Sequence, residues 1–268
     1  MQTHFSSALR TCFAVAMLAF TAVHGRAADA APLPAREKFH LYLLIGQSNM
    51  AGRGVVEAQD KQPHPRVLTL NKEGRWVPAV DPIHFDKPIA GVGLGTTFGK
   101  VMAERDAAVT IGLIPCAVGG TPIARWQKGA DLYEAAWKRA QAAAPHGVFK
   151  GILWHQGEAD SGKEETAKIY GTKLDAMIAA WRADLEQPEL PVVVGQLGEF
   201  FAGGAGLKIV RETLQTLPDR MKHAGFVPAT ELNHKGDNVH FDAAAYREFG
   251  KRYAAAMVKL QGGAAEKK

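Results

Sequence analysis

Hydrophobic residues gather in five short runs along the chain, and each run predicts a β-strand. The runs are nearly continuous in apolar character and alternate little with polar residues, which is typical of strands that are covered on both faces of a sheet. The predicted strands are FHLYLLIG (39–46), VTIGLIPCAV (109–118), VFKGILWHQ (148–156), PVVVGQL (191–197) and AGFVPAT (224–230).

Between these runs, apolar residues return with the period of an amphipathic helix. Because strands alternate with helices, the pattern predicts βαβ units and therefore an α/β sandwich with a parallel sheet. The one long irregular stretch, 53–94, is rich in proline and glycine, and we expect it to be a surface excursion beside the first strand. The predicted helices span residues 97–106, 131–144, 164–185, 206–222 and 242–260.

The two ends of the chain differ in pattern from the rest. Arg10 precedes the apolar run CFAVAMLAF, and small residues follow in GRAADAAP. This order predicts a secretory signal peptide over residues 1–30 and export to the periplasm or the cell exterior. The alternative is an uncleaved anchor, but the run is shorter than the roughly 20 residues of a membrane span, so we expect no membrane insertion once the signal is removed. Residues 31–262 are then predicted to form a single domain, with 263–268 as a frayed tail.

Charge and cysteine content exclude some classes of partner. The formal net charge of +5 arises from 32 basic and 27 acidic side chains that are interspersed along the chain. Since no basic stripe with interleaved aromatic residues is present, the composition does not indicate a nucleic-acid partner. Cys12 lies in the predicted signal, and Cys116 alone cannot form an internal disulfide, so stability must come from the hydrophobic core.

Glycine and polar residues follow four of the five predicted strands. Ligands of open parallel sheets bind beyond the carboxyl ends of the strands, where such segments would meet. The sequence therefore predicts a binding or catalytic site at this edge of the sheet. The four segments are GQSN (46–49), GGT (119–121), HQGE (155–158) and GDNVH (236–240).

Ser48, Asp237 and His240 are candidates for a catalytic serine, an acid and a base. A strand that turns over at Ser48 exposes the hydroxyl, and a serine nucleophile needs a base that is itself oriented by an acceptor. Residues three apart in a turn lie on one side of the chain, so the Asp237 carboxylate is placed to reach the His240 ring. The alternatives are a serine that caps a turn, a solvated surface histidine and an aspartate that begins the last helix.

Gly119, Gly120 and Gln156 are candidate stabilisers of a negatively charged oxygen. A glycine lets the backbone approach a substrate and present an N–H group, although a tight turn with positive φ would also select it. The Gln156 amide is a further donor, from a side chain. His155 and Glu158 are residue types that bind metals, but two ligands without a third do not make a metal site, so we expect no metal.

The glycine-rich segment GVGLGTTFG (91–99) does not predict a dinucleotide cofactor. No strand runs into it, and Phe98 stands where the third glycine of the dinucleotide motif would be. We expect a loop that enters a helix, and no organic cofactor.

With GQSNMAG, GGT, WHQGE and DNVHF in this order, the chain resembles the SGNH (GDSL-like) hydrolase superfamily over about residues 39–255. Within it, the chain is similar to the sialate O-acetylesterase and carbohydrate esterase family six branch, which includes acetylxylan esterase-like proteins. Most of the superfamily has aspartate and asparagine where this chain has Gln47 and Gln156, and the branch shares both glutamines. The branch often has proline where this chain has Leu94, between two glycines.

The resemblance implies a flavodoxin-like, three-layer α/β/α sandwich with a five-stranded parallel sheet. It also implies a catalytic triad of Ser48, Asp237 and His240. Glu158, in the third motif, is an alternative acid partner for the histidine. The implied oxyanion donors are the N–H group of Ser48, the N–H group of Gly120 and the side chain of Gln156.

The implied activity is cofactor-free hydrolysis of O-acetyl esters on a small-molecule or polysaccharide carbohydrate, of the acetylated hemicellulose or sialic acid type. Trp126 and Trp154 are candidates for stacking on a sugar ring, the alternative being core tryptophans. Arg53 and Arg125 are candidates for binding a carboxylated sugar, the alternative being surface arginines. Alternative functions are esterase, lipase or acyltransferase action on another acyl substrate, or a non-catalytic carbohydrate-binding module.

Overall fold

The computed structural model describes residues 1–2 and 32–262 of the chain. By its contacts the chain divides into Met1–Pro32 and Leu33–Lys268, and the elements below all belong to the second unit. Apart from residues 1–2, the predicted signal peptide lies outside the described residues, as does the predicted tail of 263–268.

A seven-stranded sheet forms the centre of the fold. The strands follow the spatial order β3-β2-β4-β1-β5-β6-β7, so that β1 is central. All neighbouring pairs are parallel except β2 with β3, which is antiparallel. The strands are β1 (Phe39–Gly46), β2 (Val67–Leu70), β3 (Trp76–Pro78), β4 (Thr110–Pro115), β5 (Val148–His155), β6 (Val192–Gly195) and β7 (Ala224–Val227).

The predicted α/β class and parallel sheet are confirmed, and the five predicted strands are β4, β1, β5, β6 and β7. The strand count of five was too low, because the irregular stretch 53–94 contributes β2 and β3 at one edge of the sheet. These strands have four and three residues, which is too short to produce a recognisable apolar run. A turn joins them, in which the Asn71 side chain accepts a hydrogen bond from the Arg75 N–H group at 2.8 Å.

Eight α-helices lie among the described residues, and two of the predicted helices are each divided in two. The second half of the predicted helix 206–222 begins after a break at Thr216, because Pro218 has no N–H group with which to continue the first half. The helix Leu94–Arg105 begins at Leu94 itself, with Gly93 as its N-cap residue. The helices are α1 (Ser48–Ala51), α2 (Leu94–Arg105), α3 (Asp131–Ala143), α4 (Glu164–Lys168), α5 (Tyr170–Asp184), α6 (Leu207–Gln215), α7 (Leu217–Arg220) and α8 (Ala243–Gly262).

Both faces of the sheet are covered by helices, which makes the fold a three-layer sandwich. Leu41, Leu43 and Ile45 of β1 belong to the core cluster that contains residues of α3, α5 and α6. Tyr42 and Leu44, which alternate with them, belong to the cluster that contains residues of α2 and α8. A central strand with two buried faces explains why the β1 sequence is continuously apolar. Within residues 1–2 and 32–262, no helix combines the length and the apolar character that crossing a bilayer requires.

Candidate active site

The carboxyl ends of β4, β1 and β5 lie side by side and bring three of the predicted motifs together. Gly46 at the end of β1 pairs with His155 at the end of β5, and the Gln47 N–H group donates to the His155 carbonyl at 2.9 Å. On the other side, the Val118 N–H group donates to the Gly46 carbonyl at 3.0 Å. Gly46 has a φ of +136°, and a Cβ there would lie 2.2 Å from the His155 oxygen. Only glycine fits, and it lets the chain turn Ser48 onto the sheet edge.

Ser48 begins the single-turn helix α1 and contacts His240, which lies 192 residues further along the chain. The Ser48 Oγ atom is 3.0 Å from His240 Nε2, and His240 Nδ1 is 2.7 Å from Asp237 Oδ2. The serine is 6% exposed, whereas a fifth of the histidine side chain and about a third of the aspartate side chain reach solvent. The three side chains form a continuous hydrogen-bonded relay from the protein surface to the serine hydroxyl.

Asp237 and His240 lie in a loop, 234–241, that ends before α8 begins at Ala243. Asp237 Oδ1 accepts the N–H groups of Val239 at 3.0 Å and of His240 at 2.8 Å, so the carboxylate closes its own turn and faces the ring. Partial burial raises the pKa of Asp237, but the hydrogen bonds from the His240 backbone and ring outweigh this and hold it well below its usual range. The aspartate is therefore ionised at neutral pH and does not begin the helix.

Glu158, the alternative acid, is buried in the 3₁₀-helix Glu158–Asp160 after β5. Its Oε1 atom accepts a hydrogen bond from Asn49 Nδ2 at 2.5 Å and lies 3.8 Å from His155 Nε2. Burial raises the pKa of Glu158, with the Asn49 hydrogen bond acting in the opposite direction. Among the described residues it makes no hydrogen bond to His240, so the structure gives that histidine Asp237 as its partner.

His155 also faces the interior and does not form part of a metal cluster. Its Nδ1 atom lies 3.1 Å from the Tyr253 hydroxyl, and burial lowers its pKa to about 3. Within the described part of the chain, no group of three histidine, cysteine or acidic residues lies close enough to hold a metal ion.

Gly119 and Gly120 follow β4 beside the serine. Gly120 has a φ of +77°, with open space where a Cβ would be, and among the described residues its N–H group has no partner. The Ser48 N–H group likewise has no partner among them. The Gly119 N–H group donates to Asp86 Oδ2 at 2.8 Å. The two predicted backbone oxyanion donors, the N–H groups of Ser48 and Gly120, are thus free among the described residues. The alternative explanation for the glycine, a tight turn with positive φ, also applies at Gly120.

In this structure the Gln156 amide is not free to act as the predicted oxyanion donor. Its side chain is fully buried, and Nε2 donates to the Thr121 carbonyl at 3.0 Å and to Asp160 Oδ2 at 2.6 Å. Both amide hydrogens are thus used inside the protein. Gln156 instead ties the loop after β4 to the 3₁₀-helix after β5. Asp160, four residues after Gln156, is a nearby acceptor in the sequence that could have indicated an internal partner for the Gln156 amide.

The two predicted sugar-stacking tryptophans are core residues. Trp126 and Trp154 are both 0% exposed and pack edge to face with ring centroids 5.7 Å apart. Each indole N–H group has an internal acceptor, the Thr121 hydroxyl and the Tyr170 hydroxyl respectively. Since neither ring reaches the surface, neither is available to stack on a sugar, and of the two alternatives the structure supports core tryptophans.

Arg53 is the centre of a buried ion pair and is not available to a carboxylated sugar. Its Nη2 atom lies 2.6 Å from Asp86 Oδ2, and its Nη1 atom donates to the Gly52 carbonyl at 2.7 Å. Asp86, a residue of the irregular stretch 53–94 that sequence reasoning missed, thereby binds both Arg53 and the Gly119 N–H group. Arg125 remains on the surface, paired with Asp131.

Several known proteins resemble this chain in sequence. The profile of the family described as carbohydrate esterase, sialic acid-specific acetylesterase matches residues 38–259. A probable carbohydrate esterase from Arabidopsis thaliana is 35% identical over 248 residues, which cover 85% of this chain and 92% of that protein.

Solved structures are similar over most of the chain. The X-ray structure of an Arabidopsis thaliana protein has a TM-score of 0.76 and 33% identity, and the match covers 82% of this chain and 98% of that one. NanS has a TM-score of 0.69 at 16% identity, covering 86% and 100%, and a carbohydrate acetylesterase from Xanthomonas citri has 0.65 at 22%, covering 83% and 57%. The last two show likeness of fold alone. From the family profile and the Arabidopsis relative it follows that the chain belongs to the carbohydrate esterase, sialic acid-specific acetylesterase family and is a carboxylic ester hydrolase.

Proposed function

We propose that this protein is a serine esterase that removes O-acetyl groups from carbohydrates through an acetyl-serine intermediate. One observation carries the proposal, namely the relay from Asp237 through His240 to the Ser48 hydroxyl, with distances of 2.7 and 3.0 Å. A nucleophile within hydrogen-bond reach of a base, which is itself held by an acceptor, is the arrangement that acyl transfer requires. The proposed substrate class, a carbohydrate acetyl ester, rests on the family membership.

In the first step, Ser48 Oγ attacks the acetyl carbonyl carbon while its proton passes to His240 Nε2. The ionised Asp237 accepts the Nδ1–H group and stabilises the imidazolium that forms. The bond between the acyl carbon and the sugar oxygen then breaks, and His240 returns the proton to that oxygen. The sugar leaves as an alcohol, and the acetyl group stays on the serine.

In the second step, water attacks the acetyl-serine carbonyl and gives a proton to His240. The bond between the acyl carbon and Ser48 Oγ breaks, the serine recovers its proton from His240, and acetic acid leaves and loses its remaining proton to the solvent. In both steps the carbonyl oxygen becomes negatively charged. The N–H groups of Ser48 and Gly120, which are unpartnered among the described residues, are the donors we assign to it.

The proposal is tested by p-nitrophenyl acetate hydrolysis in the wild type and in Ser48→Ala. We expect the substitution to lower kcat/KM by about 10⁴-fold or more, because the nucleophile is lost while the fold is kept. Ser161→Ala is the matched control, since its hydroxyl donates to the Glu158 carbonyl inside a turn and its loss affects mainly stability, by about 1 kcal/mol. Comparable activity in Ser48→Ala would exclude the serine mechanism.

The acyl and sugar preferences are tested with esters of increasing acyl length and with acetylated xylan and O-acetylated sialic acid. Acetate release from either carbohydrate, together with a preference for acetyl over octanoyl esters, supports the proposed substrate class. A preference for octanoyl esters would favour a lipase-like substrate. Retained binding to these carbohydrates without hydrolysis would favour the non-catalytic module.

We also propose that the enzyme acts outside the cytoplasm. The proposal rests on the signal-peptide pattern of residues 1–30.

A further inference from the structure

Asn49, directly after the proposed nucleophile, is a fully buried amide with partners on three other segments of the fold. Its Nδ2 atom donates to the Val239 carbonyl at 3.0 Å, and its Oδ1 atom accepts the Phe241 N–H group at 3.4 Å. Val239 and Phe241 are the two chain neighbours of His240. The residue next to Ser48 therefore binds the backbone on both sides of the proposed base.

The loop that carries His240 has few other polar attachments to the fold. Residues 234–241 are closed by the bridge between His234 and Phe241 and by the Lys235 N–H group, which donates to the His240 carbonyl at 3.0 Å. Among the described residues, the hydrogen bonds that leave this loop reach Ser48 and Asn49. The Phe241 ring also packs in the core. Asn49 is thus the polar attachment that sets how the backbone around His240 lies relative to the serine.

Asn49 is itself fixed by two further elements. Its second amide hydrogen goes to Glu158 Oε1 at 2.5 Å, and the Tyr246 hydroxyl of α8 donates to its Oδ1 atom at 2.7 Å. A carboxamide has two donors and an acceptor with two lone pairs, so it satisfies all four contacts at once. Neither aspartate, which lacks the donors, nor leucine of similar size would reproduce this set.

We propose that Asn49 is a positioning residue that holds His240 in reach of Ser48, and that it affects the rate only through His240. This inference rests on the proposed function of the serine relay. Because the reacting groups must be aligned closely, a displacement of about 1 Å costs about 10²-fold in rate. We therefore expect Asn49→Ala to lower kcat by about 10²-fold with little change in KM.

The test is a double-mutant cycle with Asn49→Ala, His240→Ala and both together, measured on p-nitrophenyl acetate. If Asn49 acts through His240, Asn49→Ala lowers kcat by about 10²-fold in the wild type. In the His240→Ala background, the same Asn49→Ala substitution then changes kcat less than about twofold. Equal losses in both backgrounds, or no loss in the wild type, would overturn the proposal. A merely structural role would lower the activity of both backgrounds by the folded fraction.

Two further variants keep the test decisive. Tyr246→Phe removes one support of Asn49 and is milder if Asn49→Ala fails to fold; its loss of kcat must also disappear in the His240→Ala background. Asn71→Ala removes an asparagine of the β2–β3 turn and is expected to leave kcat unchanged. Wild-type activity in His240→Ala would instead overturn the serine relay itself, and the Asn49 proposal with it.

Discussion

At the scale of single residues, two carboxylates near the sheet edge have opposite environments. Asp237 is partly exposed and accepts three hydrogen bonds from the backbone and ring of its own loop, so its pKa lies below the usual range. Glu158 is buried, and burial raises its pKa. An ionised carboxylate that contacts the imidazole stabilises an imidazolium, whereas a buried carboxyl turned toward Asn49 does not.

The first prediction compares Asp237→Asn with Glu158→Gln, two substitutions of a carboxylate by its amide. We expect Asp237→Asn to lower kcat by about 10⁴-fold, because the amide does not hold the histidine in the productive tautomer. Glu158→Gln keeps an oxygen for the Asn49 amide and should cost less than about tenfold. Steady-state kinetics on p-nitrophenyl acetate gives both values, and the reverse order would make Glu158 the acid.

At the scale of elements, the stretch 53–94 has a defined task despite its irregular sequence. Between β3 and α2 it delivers Asp86, whose carboxylate binds the Arg53 guanidinium and the Gly119 N–H group. The side chains of Arg53 and Asp86 are each only 1% exposed. This buried pair links the segment after α1 to the loop after β4 that contains Gly119 and Gly120. The pair therefore stabilises the position of the Gly120 N–H group.

The second prediction compares Asp86→Ala with Asp131→Ala, each of which removes the partner of an arginine. Asp86→Ala leaves Arg53 buried without its counter-charge, and we expect a loss of about 3–5 kcal/mol in the free energy of unfolding. It should also lower kcat, because the Gly119 N–H group loses its acceptor. Asp131→Ala breaks the exposed pair with Arg125 and should leave the free energy of unfolding nearly unchanged, because solvent screens this pair.

Urea unfolding and steady-state kinetics provide the two measurements for these aspartate variants. Equal losses of stability in both would show that the Asp86 pair is as weak as a surface pair. A raised KM for carboxylated sugars in Arg125→Ala would identify Arg125 as a substrate-binding residue.

At the scale of the whole molecule, several ionisable side chains are buried in the interior and take no part in the proposed relay. Burial lowers the pKa of His84 to about 3 and also that of His155 to about 3. Burial raises the pKa of Asp81 to about 7, with a hydrogen bond from Thr96 acting in the opposite direction. Folding is therefore linked to proton binding over the acidic and neutral range.

The third prediction concerns the pH dependence of stability. Below the ordinary histidine pKa of 6.5, the unfolded chain gains a proton at His84 that the folded protein rejects until about pH 3. Stability from this group is therefore complete above pH 6.5 and is lost as the pH falls toward 3, by about 2 kcal/mol at pH 5. Asp81 acts in the opposite direction, since its folded form keeps a proton up to about pH 7.

His84→Leu isolates the histidine contribution from that of Asp81. The quantity compared is the free energy of unfolding at pH 7 minus that at pH 5. We expect this value to be about 2 kcal/mol lower in His84→Leu than in the wild type. Urea denaturation at the two pH values measures it. His146→Leu, at an exposed position, is the matched control, and an unchanged difference in His84→Leu would contradict the buried neutral histidine.

Local patterns in the sequence were sufficient for the fold class and for part of the site. The continuous apolar runs predict doubly covered strands because burial on both faces removes the need for polar residues, and β1 was predicted with its observed bounds. The D-x-x-H spacing places Asp237 beside His240 because a carboxylate three residues away closes a turn through the backbone. Parallel strands then deliver Ser48 and Gly120 to one edge.

What only the tertiary structure decided are the partners that lie far apart in sequence. The Gln156 amide binds the Thr121 carbonyl, 35 residues away, and Arg53 binds Asp86, 33 residues away. Trp126 and Trp154 are of a residue type that can stack on sugars, but both side chains are buried in this fold. A buried polar group must find a partner, and which one it finds depends on segments that the fold brings together. The residue types at the sheet edge follow from the sequence, whereas their orientation follows from packing.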